Sequence, residues 1–158
     1  MLDMYEICQR LAQHEGIRLS PYRCSKGKLT IGIGRNLEAN PLSKEELKIV
    51  GDWRHGITKQ AAFYLLRNDI CHTEKELRRR IAFWEQLDDE RQYALLDMAF
   101  NLGAEGLCKF KKMLGFLWMG DYKQAAAECL NSQYAKDTGR RARCIAATIR
   151  TGKYSPQI

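Results

Sequence analysis

Glu15, Cys24 and Thr30 are the residues of this chain whose types and spacing could do chemistry together. They offer a carboxyl group, a thiol and a hydroxyl on one short stretch that runs into the segment Thr30-Ile31-Gly32-Ile33-Gly34. A lone glutamate is ordinarily a surface charge and a lone turn cysteine ordinarily idle. Cleavage of a glycosidic bond, however, needs a carboxylic acid to protonate the leaving oxygen and a second group on the other face of the sugar. Glu15 fits the first role. Thr30 fits the placing of a water molecule. Cys24 fits three roles that chemistry alone does not separate: base, nucleophile at the sugar's C1, or positioning group. A free thiol is mostly protonated near neutrality, and the adjacent Arg23 and Lys26 are expected to lower its pKa. A cysteine-hydrolase reading is weaker, because no peptidase signature surrounds Cys24. A nucleotide-binding reading of the glycines fails for want of a complete phosphate-loop pattern.

The elements that must position these groups follow from periodicity. Met4, Ile7, Cys8 and Leu11 form one helical face, with Asp3 as N-cap and Gly16 as a left-handed C-terminal cap. Glu15 therefore stands at a helix C-terminus, where the helix dipole disfavours an acid. Residues Arg18 to Tyr22 and Lys28 to Ile33 predict a hairpin turning at Ser25-Lys26-Gly27, with Pro21 confining the first strand to an edge. Ser43 and Glu46 predict a capping box. Thr58 caps a long, largely polar helix whose buried stripe is Leu66, Ile70, Leu77 and Ile81, the expected bridge between two lobes. The run Tyr93 to Phe100 is apolar nearly all round and predicts a central helix closed by Gly103. Further helices follow, the last beginning at Thr138 or Gly139 and stopped by Gly152. The fold class is α+β and predominantly helical: a small β-hairpin lobe over about 13–58, a connecting helix over about 59–80, and a larger helical lobe over about 81–158. The N-terminal helix is expected to pack on the helical lobe.

The chain has 158 residues, 26 basic and 19 acidic, for a formal net charge of +7. That excess favours polyanionic partners without choosing among nucleic acid, membrane and envelope polymers. The six cysteines form no zinc-ligand pattern, and neither a cofactor nor a metal is expected. No export signal and no membrane-spanning run is legible.

The order Glu15, Cys24, Thr30, with H-E-G-I-R-L before and T-I-G-I-G after, resembles the catalytic signature of the phage-type lysozymes, the endolysins of tailed phages. The resemblance continues through Gly56-Ile-Thr58-Lys, through Ala94 to Gly103, and through Arg141 to Gly152. It implies a muramidase that hydrolyses the β-1,4 bond between N-acetylmuramic acid and N-acetylglucosamine in peptidoglycan. It also implies a lysozyme-like fold with its cleft between the lobes. Residue by residue, it makes Glu15 the acid, puts Cys24 where most members have aspartate, and makes Thr30 the third catalytic position. Phe100 and Asn101 fall where the family lines its cleft, and Arg141 where it keeps a basic residue near the acid. Arg35, where some members have histidine, is expected to support the site by pairing with Asp69. Met113 and Glu128 replace small polar cleft residues.

The implied biology is a monomer held in the host cytoplasm until a holin opens the membrane, then acting at the periplasm and cell wall, with peptidoglycan as partner and no specific nucleic acid. Two other readings compete. A lytic transglycosylase would yield an anhydro sugar instead of adding water. A basic helical binding domain would show salt-steep affinity that survives loss of Glu15. A tail-associated lysozyme module is a third; such modules sit in larger chains, whereas this sequence is expected to be a single lysozyme domain.

Overall fold

A computed structural model describes residues 2–156. Its contacts divide them into two compact units, Asp3–Cys71 and His72–156 with Leu2. The chain passes between them inside the helix Lys59–Arg80, and the N-terminal helix Met4–Glu15 belongs to the same unit as the sheet.

The first unit begins with α1 (Met4–Glu15), started by Asp3, whose carboxylate accepts from the Glu6 amide at 2.9 Å. Ile7, Cys8 and Leu11 are buried on one face, as the periodicity requires. Gly16 ends the helix with φ +76°, but its ψ of 166° is extended and not left-handed helical. The chain therefore leaves α1 directly into β1 (Arg18–Arg23). β2 (Leu29–Gly32) pairs antiparallel with β1, and a two-residue β3 (Arg35–Asn36) pairs with β2, so β1 is an edge strand as Pro21 demands. The register places Tyr22 opposite Thr30 and Ile31 opposite Arg35. β3 is not visible in the sequence, since two residues are too few to show alternation. α2 (Lys44–Val50) starts on the expected capping box, with Ser43 and Glu46 exchanging hydrogen bonds at 2.9 and 3.1 Å.

Arg35 carries the unit's polar core. It is 4% exposed and donates to Glu46 through two nitrogens at 2.8 and 3.1 Å. It also donates to Asp69 at 3.1 Å and to the Asn40 carbonyl at 2.8 Å. The Arg35–Asp69 pair was expected; the closer partner, Glu46, was not. Burial acts to raise the Glu46 pKa, but Arg35, Asn68 and the Ser43 amide outweigh it and hold the group at about 2, against an ordinary 4.5. A depressed folded-state pKa gives stability that is complete above the unfolded value and is lost as pH falls through the folded one. Acid titration of unfolding should therefore show roughly 3 kcal/mol of stability disappearing between about pH 4.5 and pH 2. In Glu46→Gln that component should be missing.

The second unit is helical. α3 (Lys59–Arg80), whose residues up to Cys71 belong to the first unit, carries the expected stripe, with Leu66, Ile70, Leu77 and Ile81 all buried. α4 (Asp89–Cys108) is continuous except at Gly103, whose φ of 77° and ψ of 156° break it where the sequence placed its end. α5 (Lys111–Met119) ends on a left-handed Gly120. α6 (Tyr122–Leu130) starts on Asp121. α7 (Gln133–Thr138), absent from the sequence reading, starts on Ser132, whose hydroxyl accepts from the Ala135 amide at 3.1 Å. α8 (Arg140–Thr151) ends on left-handed Gly152. No helix among the described residues is long and apolar enough to cross a membrane.

Candidate active site

Directly opposed residues of an antiparallel pair share a face, and side chains two apart on a strand share one too. Tyr22 and Thr30 are therefore on one face of the sheet, and Cys24, two residues beyond Tyr22 at the hairpin end, continues that line. Arg35 pairs with Ile31 and so belongs to the opposite face, supporting the sheet from behind.

Cys24 closes the hairpin. Its amide donates to the Lys28 carbonyl at 2.9 Å, and its carbonyl accepts from Gly27 at 2.8 Å. This turn folds backbone N–H groups around the sulfur. The amides of Lys28 and then Lys26 lower the thiol pKa, with smaller help from the Thr30 hydroxyl and against a small opposing effect of burial. The direction matches the expectation from neighbouring cations, but the cause is different. Arg23 is turned elsewhere, to the Gly27 carbonyl and to Glu38. Alkylation by iodoacetamide, read at the Cys24 peptide across pH, should show a midpoint below the ordinary 9.0. A midpoint at or above it would contradict the turn's role.

Thr30 is buried and donates to the Lys28 carbonyl at 2.9 Å. A hydroxyl has one proton, so donation to a Cys24 thiolate requires it to leave that carbonyl.

Glu15, half-buried at the end of α1, lies against the β2–β3 turn. A Cβ on Gly34 would stand 2.7 Å from Glu15 Oε2 and 2.9 Å from its Cδ, and Gly34 has φ +71°. Only glycine meets both conditions. Gly34→Ala must displace the carboxylate or strain the turn, and it is expected to cut turnover on peptidoglycan by about 100-fold, the scale of a misplaced reacting group. A Gly34→Ala enzyme with near-normal turnover would show that the Glu15 position is not critical.

Tyr22, which sequence reasoning missed, is a further candidate on this face of the sheet. Burial raises its phenol pKa, followed by the negative charge of Glu15, with Arg18 acting against them and Cys24 adding to them. The Arg18 guanidinium lies over its ring at 4.2 Å. Its spacing of two from Cys24 on a strand was the available signal.

The remaining candidates lie in the second unit. Phe100 is half-buried and Asn101 exposed on α4. Arg141, on α8, donates to the fully buried Asp97 at 2.7 Å, and Asp97 also accepts from the Tyr93 hydroxyl at 2.8 Å. Met113 and Glu128 line a groove of about 380 Å³ with Phe110, Asn131 and Ser132. Among the described residues no cluster of acidic, histidine or cysteine side chains could hold a metal ion.

The phage lysozyme family profile matches residues 12–148. The chain is 28% identical to the pre-baseplate central spike protein Gp5 of Enterobacteria phage T4, over 92% of this chain but only 28% of that protein. It is 26% identical to probable T4-type lysozyme 2 of Dictyostelium discoideum, over 90% of this chain and 92% of the relative. It is 30% identical to an endolysin of Acyrthosiphon pisum secondary endosymbiont phage 1, over 83% and 80%. A match that runs through both compact units places the chain: it belongs to the phage lysozyme family, glycoside hydrolases of the muramidase type.

Proposed function

We propose that this protein is an endolysin that hydrolyses the β-1,4 bond between N-acetylmuramic acid and N-acetylglucosamine in bacterial peptidoglycan, with Glu15 as general acid. The observation that carries the proposal is the seating of the Glu15 carboxylate against Gly34, on the turn that follows Thr30. A proton donor must be held in place, and a backbone without a side chain allows that approach. Glu15 gives its proton to the leaving oxygen. Cys24 accepts a proton from, or orients, the attacking water, and the Thr30 hydroxyl completes that water's surroundings. The backbone amides that lower the Cys24 pKa raise its thiolate fraction, which serves a base and a nucleophile alike; the base or positioning role proposed here follows from the attack by water. The outcome expected of a water attack is inversion at C1. Phe100 and Asn101 are proposed to contact the sugars.

The proposed setting is host lysis: accumulation in the host cytoplasm as a monomer, then release by a holin to the wall. The positive charge would favour an anionic envelope. The match to part of a spike protein supports a second reading, a tail-associated lysozyme module. Expression in a Gram-negative cytoplasm separates the two. Lysis that requires a co-expressed holin supports the endolysin, and no lysis even with one favours the module.

The chemistry is tested by turbidity clearing of outer-membrane-permeabilised cells with Cys24→Ser and Cys24→Asp. Aspartate is expected to retain activity, because it too can accept a proton from water. Serine is expected to lose most of it. Full activity in Cys24→Ser would reject a thiolate role.

A further inference from the structure

The groove between α6 and α8 is not used by any step above. Lys123, Ala126, Ala127 and Leu130 line one wall, and Arg143, Ala146, Ala147 and Arg150 the other, around a volume of about 350 Å³. On each helix these are positions i, i+3, i+4 and i+7, a complete helical face. The helices run antiparallel. Arg91 lies 3.4 Å over the ring of Tyr122, at the start of α6, and donates to the Ile149 and Arg150 carbonyls at the end of α8. Lys123 and Arg150 therefore mark one end of the groove, and Arg143 and Leu130 the other.

We propose that this groove docks an acidic amphipathic helix of a partner protein. Two adjacent helices that present whole faces to a shared groove form two sides of a three-helix packing, and the third side is open. The floor is alanine on both walls, so a third helix could approach closely. The rim is cationic at both ends, and Lys123, Arg143 and Arg150 have no ion-pair partner among the described residues. The lined face covers seven residue steps, about 10 Å, or roughly two turns of a docked helix. An occupant of that length needs carboxylates at both ends and small apolar residues between them. A second copy of this chain is a poor occupant, because each copy carries a net charge of +7. A planar bilayer fits less well too. Interfacial binding uses protruding large apolar side chains, whereas the methyl groups here are recessed and Ala126, Ala146 and Ala147 are buried.

The test uses the whole protein and a fluorescent helical peptide of about fourteen residues, with glutamates flanking an alanine-leucine seam. A peptide of the same composition in scrambled order is the control. Fluorescence anisotropy is expected to give micromolar affinity for the patterned peptide, at least tenfold weaker for the scrambled one. Lys123→Glu with Arg143→Glu should weaken binding at least tenfold. So should Ala127→Trp, which leaves the charge unchanged and fills an exposed position in the groove. None of these substitutions touches the proposed catalytic groups, so peptidoglycan hydrolysis should persist and its loss or retention is read separately. Equal binding of both peptides would overturn the proposal, as would a patterned peptide insensitive to Ala127→Trp. Vesicles of phosphatidylglycerol form the last arm. Binding to them that is lost in the double charge reversal, with no preference between the peptides, would assign the groove to a lipid surface instead.

Discussion

Glu15→Gln is expected to lower turnover on purified peptidoglycan by about 10³-fold while the thermal unfolding midpoint stays within about 2 °C of wild type. Glutamine keeps the volume and the hydrogen-bonding atoms of one side of the carboxyl group but cannot donate a proton to a leaving oxygen. The position also explains why stability should not suffer. Glu15 ends α1, where a negative charge opposes the carbonyl dipoles of the last turn. A carboxylate retained at such a place, against a glycine that leaves room for it, is what a functional group looks like when helix stability does not ask for it. Clearing of permeabilised cells, with calorimetry on the same preparation, measures both halves. If Glu15→Gln clears cells at the wild-type rate, general acid catalysis by this residue is wrong.

The second large effect is on stability. Arg35→Ala is expected to cost about 3–5 kcal/mol, because it takes from the buried Glu46 the guanidinium that pairs with it and removes a cation from Asp69. For a chain of this size that is a fall of roughly 10 °C or more in the unfolding midpoint. The partners should not contribute equally. Glu46 takes two guanidinium nitrogens and its side chain is 8% exposed, whereas Asp69 takes one and is 17% exposed. A double-mutant cycle should therefore give a larger coupling for Arg35 with Glu46 than with Asp69. Additive effects in both cycles would mean that the pairs contribute nothing beyond their separate packing. Replacing Arg35 and Glu46 together by methionine and leucine should cost less than Arg35→Ala alone, since no buried charge is then left over.

What the sequence revealed, and what it hid, divides along the range of the interaction. The caps at Asp3 and Ser43 bond amides three residues ahead, and their spacing in the chain is their geometry. The stripe on α3 was legible for the same reason. Arg35 with Asp69 was legible only through the family position of Arg35 after the glycines, as a pairing between the site and the long helix. Glu46 was read solely as a capping residue, yet the same carboxylate caps α2 and holds Arg35, a double use that no local pattern announces. Asp97 offered a plainer signal. It is the one acid within the apolar run from Tyr93 to Phe100, and a buried acid calls for a cation; Arg141 supplies it. At the candidate site, the line from Tyr22 through Cys24 was written in the period of two. The lowering of the Cys24 pKa was anticipated, but charge was credited for what backbone amides do, because a turn's N–H groups converge only once it is folded.

In the proposed mechanism a water molecule, activated beside Cys24 and Thr30, replaces the leaving sugar protonated by Glu15. Digestion of purified peptidoglycan in water enriched in oxygen-18, followed by mass spectrometry of the muropeptides, tests it most directly. One heavy oxygen is expected at each new reducing N-acetylmuramic acid end, with about 10³-fold less of that product from Glu15→Gln. Products ending in anhydro-muramic acid without the label would contradict it and make the enzyme a lytic transglycosylase.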